Sequence, residues 1–499
     1  MSNIRVTYSG LISLAVGFVS VLLGLLFTLI VTRTLNAIEY GTWGLIGGVI
    51  VYATIIEPMI SYWAIRESAR NIESGRTAVT SSLLVSLGGL LIYLISAYFV
   101  GVNTNADQNT VILGSLLVPL IFLNRILTSI SYGWKPQSAA FGQICFAITE
   151  ISIGSLLVYV LDLGTVGVIY SVAASYSASI IFLLIYSRDR LKNKIQKEFL
   201  KKWIKLSWVS LYPAIGITVL FFDVTIFSII TGSVIGIAFW TASLVIVNFI
   251  SNSGLISRAV YPKLLQDNNH AYLSENIRQL FYFTILFTAL VITFAKPGLF
   301  ALNPEYVFAV PIVIVLSLQI FLFTITSNFQ TFITGIEQVD VNQNSTFKDY
   351  FKSKLFYIPT VSLIQSIIYL ISLTILLYML ISYDYSQLDL VISWSILSLS
   401  VQIPASVTIF ILVKRNFSLQ INLKEIFKYV FSSIIAFGIT YILLESFLQY
   451  DIELFEFLSI TLLFVLIGIT IYFGFTFIFD SKTRNLFNVI LNRISNNNS

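Results

Sequence analysis

Four ionisable side chains lie inside long apolar runs, where charge is expensive and marks a functional position by default. Arg125 stands in Leu123-Asn124-Arg125-Ile126, Glu150 midway along 139–161, Asp223 in Phe222-Asp223-Val224-Thr225, and Glu57 just before the kink-forming Pro58. A guanidinium offers a planar fork of donors that fits phosphate or carboxylate oxygens. A carboxylate without a partner in apolar surroundings takes up a proton readily. Asp223, Glu150 and Glu57 are therefore candidates for binding H+ or Na+. Each charge also has a structural reading: Arg125 pairs with a neighbouring carboxylate such as Glu150, and each acid pairs with an arginine. Asn248, Asn252, Gln319, Asn328 and Gln330 either line a cavity or hydrogen-bond between helices, the commoner use of such residues. Glu445, toward the outer end of 429–449, reads as structural. The chain has one cysteine, Cys145, and one histidine, His270 in a polar loop. Neither a disulfide nor a Cys/His metal site can be assembled from these, and no cofactor is expected.

The elements that position these residues are membrane spans. Of the 499 residues 57% are hydrophobic and 11% charged, whereas a soluble domain carries about 25% charged residues. A spanning helix needs roughly 20 mostly apolar residues. Windows of that size fall at 8–32, 41–65, 77–101, 111–131, 139–161, 165–187, 206–231, 233–256, 279–300, 307–330, 357–382, 389–413, 429–449 and 458–479. The expected fold is all-α and polytopic, with about fourteen transmembrane helices. Strands of a barrel would alternate polar and apolar residues, and these runs do not.

Lys and Arg orient the chain. With the N-terminus inside, the inner segments hold all but three of the 29 basic residues; the rest are Arg33 and Lys296 at helix ends and Arg125 within a span. Outer loops carry acids, among them Glu39, Asp107, Asp162, Glu305 and Asp384. A miscounted span would scramble this alternation. The expected location is the cell (plasma) membrane, multi-pass, with both termini cytoplasmic and membrane lipids as surroundings. The net charge of +5 is thus a matter of topology and does not indicate nucleic acid. The sequons at Asn344 and Asn416 fall on inner loops, so neither is expected to carry glycan.

The densest charge, Arg188 to Lys205, separates spans six and seven. Leu191, Ile195, Phe199 and Trp203 recur at helical spacing in it, so it reads as an inner basic linker, in preference to a specific lipid-recognition element. It divides an N-terminal lobe, 1–187, from a C-terminal lobe, 206–413, followed by two extra spans and a cytoplasmic tail, 414–499. The turn Leu35-Asn-Ala-Ile-Glu-Tyr-Gly-Thr-Trp-Gly-Leu45 is faintly repeated at 231–244, with a Gly, a Trp and a return helix in each. Two parallel six-helix lobes form a V around a central cavity, the architecture of alternating access.

At these residues the sequence resembles the polysaccharide-export flippases (Wzx-like) of the multidrug/oligosaccharidyl-lipid/polysaccharide (MOP) superfamily. The resemblance rests on Arg33-Thr-Leu followed by Glu39-Tyr-Gly-Thr-Trp, on Ala64-Ile-Arg-Glu-Ser-Ala-Arg and Gly75-Arg76, and on Pro213, Asp223, Gly232, Gly236 and Ala242. Tyr261-Pro262, Pro304-Glu305-Tyr306 and Gly335 continue it. It implies a transporter that moves a polyprenyl (pyro)phosphate-linked oligosaccharide from the inner to the outer leaflet, with an ion gradient used by some members. Glycan-assembly enzymes would then be partners. It makes Arg125, Arg33, Asn248 and Asn252 candidates for the phosphate and glycan cavity, although Arg33 could equally snorkel at the outer surface. The alternative is a cation-coupled drug or metabolite antiporter of the same fold, which would favour a purely acidic cavity. A membrane glycosyltransferase or glycan polymerase is disfavoured, because every outer loop is short and no catalytic acid pair sits in one.

Overall fold

The structure, a computed structural model, describes residues 19–20, 23–69, 72–257, 271–337, 347–417, 423–450 and 453–484. Arg5, Arg70, Arg258, Tyr261, Pro262, Lys263, His270, Asn344, Asp451 and Arg493 lie outside them. Every regular element among the described residues is a helix. In chain order the principal ones are α1 Leu23–Thr34, α2 Ala37–Ala53, α3 Pro58–Ala69, α4 Gly75–Asn103, α5 Gln108–Trp134, α6 Gln137–Val160, α7 Gly164–Tyr186, α8 Lys197–Lys205, α9 Ser207–Leu220, α10 Phe222–Thr231 and α11 Ile235–Val247. There follow α12 Ala271–Thr293, α13 Ala295–Leu302, α14 Val310–Gly335, α15 Lys354–Ile381, α16 Gln387–Asn416, α17 Leu423–Phe447 and α18 Leu454–Phe479. Twelve helices among the described residues are long and apolar enough to cross a membrane, or thirteen if α2 and α3 form one span. Of the expected first span only α1 is described. The thirteen expected windows from 41–65 to 458–479 fall on these helices, 41–65 on the bent pair α2 and α3 and 206–231 on α9 with α10.

The hydroxyl-rich spans satisfy their own polar groups, as lipid requires. Thr28, Thr32 and Thr34 donate to the carbonyls of Gly24, Thr28 and Ile30 at 2.8–2.9 Å, and Ser171 and Ser175 to those of Gly167 and Ser171.

Two compact units make up the chain, Met1–Thr241 with Ser362–Leu390, and Ala242–Val361 with Val391–Ser499. In the first, Ile60, Ala64, Ala78, Ile126, Leu127, Ile130, Ile180, Leu183 and Trp203 form one buried core. Trp203 comes from the basic linker, and its indole N–H donates to Glu67 at 3.2 Å while Lys202 pairs with the same carboxylate at 3.3 Å. Phe199 and Leu191 pack on that core too, whereas Ile195 is exposed. The linker folds as a 3-10 turn, Arg188–Leu191, and the separate helix α8, with 192–196 non-helical between them, so the four apolar residues do not form one continuous stripe.

The second unit packs Leu273, Ile277, Phe329, Phe332, Ile358 and Ile409 among its core. Helix α12 starts at Ala271, ahead of the expected window 279–300, and so carries Arg278 inside the helix, 7% exposed. Its charge is tolerated because Asp480 and Glu275 neutralise it, at 3.3 and 2.5 Å.

Candidate functional site

The expected second span is broken. Asn36 caps α2 by accepting from the N–H groups of Ile38 and Glu39, both at 3.0 Å, and Glu39 returns a bond from the Asn36 N–H. This reciprocal box fixes the start of the helix. The helix stops at Ala53, and α3 restarts at Pro58, a residue pre-set for a first helical position. The two segments meet at 67°. Glu57 occupies the break and is 6% exposed.

Arg125 projects from α5 to this break. Its guanidinium lies 3.8 Å from Glu57 Oε2, with the arginine side chain 48% exposed. That separation is an ion pair without a hydrogen bond. Oε1 of Glu57 is buried with no hydrogen-bond partner. Tyr176, on α7, lies within electrostatic reach of both Arg125 and Glu150. Arg125 thus meets Glu57 directly, and Tyr176, which the sequence did not single out, interacts with both Arg125 and Glu150. The arginine's ion-pair partner is Glu57 rather than Glu150, because the break between α2 and α3 brings Glu57 to α5. Next to Arg125, Asn124 is held by the Ser179 hydroxyl at 2.8 Å.

Asp223 is built differently. Buried at the start of α10, it accepts from the Tyr369 hydroxyl at 2.9 Å and from the Val224 N–H at 2.7 Å. A helix N-terminus suits a carboxylate. Close by, Tyr52 stacks on Phe222 at 4.7 Å and bonds the Thr225 hydroxyl at 3.0 Å. Arg33 is exposed near the end of α1. In the second unit, Asn248 is exposed and Asn252 half-buried on the 3-10 segment Asn248–Ser257. Among the described residues no group of three metal-ligating side chains occurs.

The family-like motif residues have mainly structural work. Glu39 caps α2, and a Cβ at Gly41 would run into the Val234 carbonyl. Gly232 ends α10 at φ +65°, a conformation favouring glycine. Around it, Asn105 donates its N–H to the Gly232 carbonyl at 3.1 Å and accepts from the Val234 N–H at 2.9 Å.

No family model matches the chain, and no curated protein sequence does. Solved structures do. The lipid II flippase MurJ in an inward closed conformation superposes with TM-score 0.63 at 16% identity, over 96% of this chain and 100% of the flippase. An inward-facing multidrug-resistance MATE transporter of the MOP superfamily gives 0.56 at 14% identity, over 81% of this chain and 98% of its own. A MOP-superfamily transporter from Pyrococcus furiosus gives 0.50 at 15%, over 83% and 95%. These neighbours are transporters and flippases, and the chain shares their fold.

Proposed function

We propose that this protein is a flippase that carries a polyprenyl (pyro)phosphate-linked oligosaccharide from the inner to the outer leaflet of the cell membrane by alternating access, with both termini cytoplasmic. The observation that carries this reading is Arg125. It is a half-exposed guanidinium within a span, held loosely by Glu57 at 3.8 Å. Loose pairing leaves donors able to turn to a phosphate, and a discontinuous helix beside it is a usual setting for an ion or headgroup site. An exclusively acidic site, as a cationic drug would need, does not contain such a group. Coverage supports the same reading: the alignment with the lipid flippase runs over nearly the whole chain, whereas those with the two other transporters leave out about a fifth.

Within this reading Arg125 holds the phosphate, and Arg33, Asn248 and Asn252 are assigned to the passage of the glycan. Asp223, whose two oxygens each already hold one donor, from Tyr369 and Val224, secures α10 and is not the first choice for ion coupling.

Depleting the protein in its host tests the proposal. Full-length lipid-linked glycan should accumulate on the inner leaflet, and Arg125→Ala should fail to relieve this although expressed and membrane-inserted. Truncated lipid-linked glycan would indicate a synthetic enzyme. Unchanged glycan with raised sensitivity to cationic compounds would indicate the drug antiporter.

A further inference from the structure

Resting on the flippase reading, we propose that Glu57 is a proton-binding site and that Arg125 is shared between it and the substrate phosphate, so that proton uptake and phosphate binding promote each other.

The geometry of the break carries this. Glu57 Oε1 is a buried acceptor without a partner, in a residue 6% exposed. A proton on that oxygen removes a buried negative charge that no hydrogen bond satisfies there. A metal cation fits poorly. It needs several oxygens in one shell, and here it would face the Arg125 guanidinium close to the same carboxylate.

The surrounding helices offer little competition. From α5 comes Arg125. Helix α9 contains no charged residue, and α4 has only Arg76, at its start. Helix α8 carries Lys197, Glu198, Lys201, Lys202 and Lys205, of which Lys202 is paired with Glu67 further along α3, beside Arg66. Beyond Arg125 stand Tyr176 and Glu150. The charge on Glu57 is therefore balanced mainly by one arginine, and that arginine is half-exposed.

The coupling has a definite sign. While Glu57 is ionised, Arg125 has a counter-charge and its attraction for phosphate is partly spent. When water delivers a proton to Oε1, the pair is broken and the guanidinium regains its full charge for an anion. Reciprocally, a phosphate beside Arg125 repels the carboxylate charge and favours the protonated form, by the same factor.

Binding of a polyprenyl phosphodiester-linked sugar, whose headgroup does not titrate between neutral and mildly acidic pH, tests this with the purified full-length protein in lipid nanodiscs. Acidification should tighten binding to the wild type by about tenfold, within the usual range of coupling between two sites. Glu57→Gln should bind as tightly as the acidified wild type at every pH, and Glu57→Asp should restore the slope. Arg125→Ala should bind weakly throughout. A slope that survives in Glu57→Gln, or a wild type that binds without any slope, would overturn the proton site and leave the flippase reading intact. Failure of the wild type to bind at any pH would overturn both. A thermal midpoint for each variant distinguishes lost binding from lost fold.

Discussion

Arg278 and Asp480, separated by 202 residues, form a buried ion pair at 3.3 Å with Tyr429 bonded to both. The tyrosine lies on α17, the aspartate just beyond α18 and the arginine on α12. This one constellation therefore ties the last two spans to the rest of the second unit. Tyr282 and Tyr472 extend it, with the Tyr282 hydroxyl on Thr476 at 2.9 Å and the Tyr472 hydroxyl on the Tyr282 carbonyl at 3.1 Å.

Removing one member of this pair should be costly. Arg278→Ala strands Asp480 without its cation, and loss of one partner of a buried pair costs about 3–5 kcal/mol. A fall in the detergent-solubilised melting temperature would register it, and a tagged 423–484 segment should become more protease-sensitive. An unchanged melting curve would mean that the pair adds nothing to the attachment of α17 and α18.

The same pair predicts an acid limit. Burial pushes the Asp480 carboxyl up, but bonds from Thr483 and Tyr429 and the charge of Arg278 outweigh this and hold it below the ordinary carboxylate value. Its contribution to stability is therefore fully present above the unfolded pKa of about 3.9 and is lost as pH falls through the lower folded value. Unfolding midpoints measured down this acid range should drop more for the wild type than for Asp480→Asn.

Two glycines in one helix should behave oppositely. A Cβ at Gly41 meets the Val234 carbonyl, whereas one at Gly47 meets nothing within 4 Å. Gly41→Ala should destabilise by about 1–3 kcal/mol through overpacking. Gly47→Ala should be neutral or stabilising by up to about 1 kcal/mol from helix propensity. Parallel thermal shifts of the two variants check both.

The linker should depend on Glu67. Glu67→Ala leaves the fully buried Trp203 indole N–H without its acceptor, at a cost of about 1–3 kcal/mol. Trypsin should then cut between Lys192 and Lys205 faster than in the wild type. Equal cutting rates would show that apolar packing alone holds α8.

Asp223 should respond to its tyrosine. Tyr369→Phe removes a donor from a buried carboxylate and should lower the melting temperature. Asp223→Asn can still accept from that hydroxyl, so glycan export should persist in it. Loss of export without loss of stability in Asp223→Asn would move the coupling role from Glu57 to Asp223.

The sequence by itself determined that the chain is built of apolar helices of membrane-spanning length, because an apolar run of that length has no other stable place and each window is a local property. The turns at Asp162-Leu163-Gly164 and Gly232 were equally legible, since positive φ at Asp162, Gly164 and Gly232 suits the residue types found there. Partners were not legible. Arg125 has several acids available in the sequence, and only the 67° break between α2 and α3 brings Glu57 to it. Tyr176, Tyr369 and Tyr429 are three among 26 tyrosines, and nothing in their neighbours distinguishes them. Arg278 looked like one more inner cation because the charge pattern counts residues without regard to what neutralises them. A buried charge is acceptable only when a counter-charge arrives from elsewhere, and for Arg278 and Asp480 only the tertiary structure decided that it does.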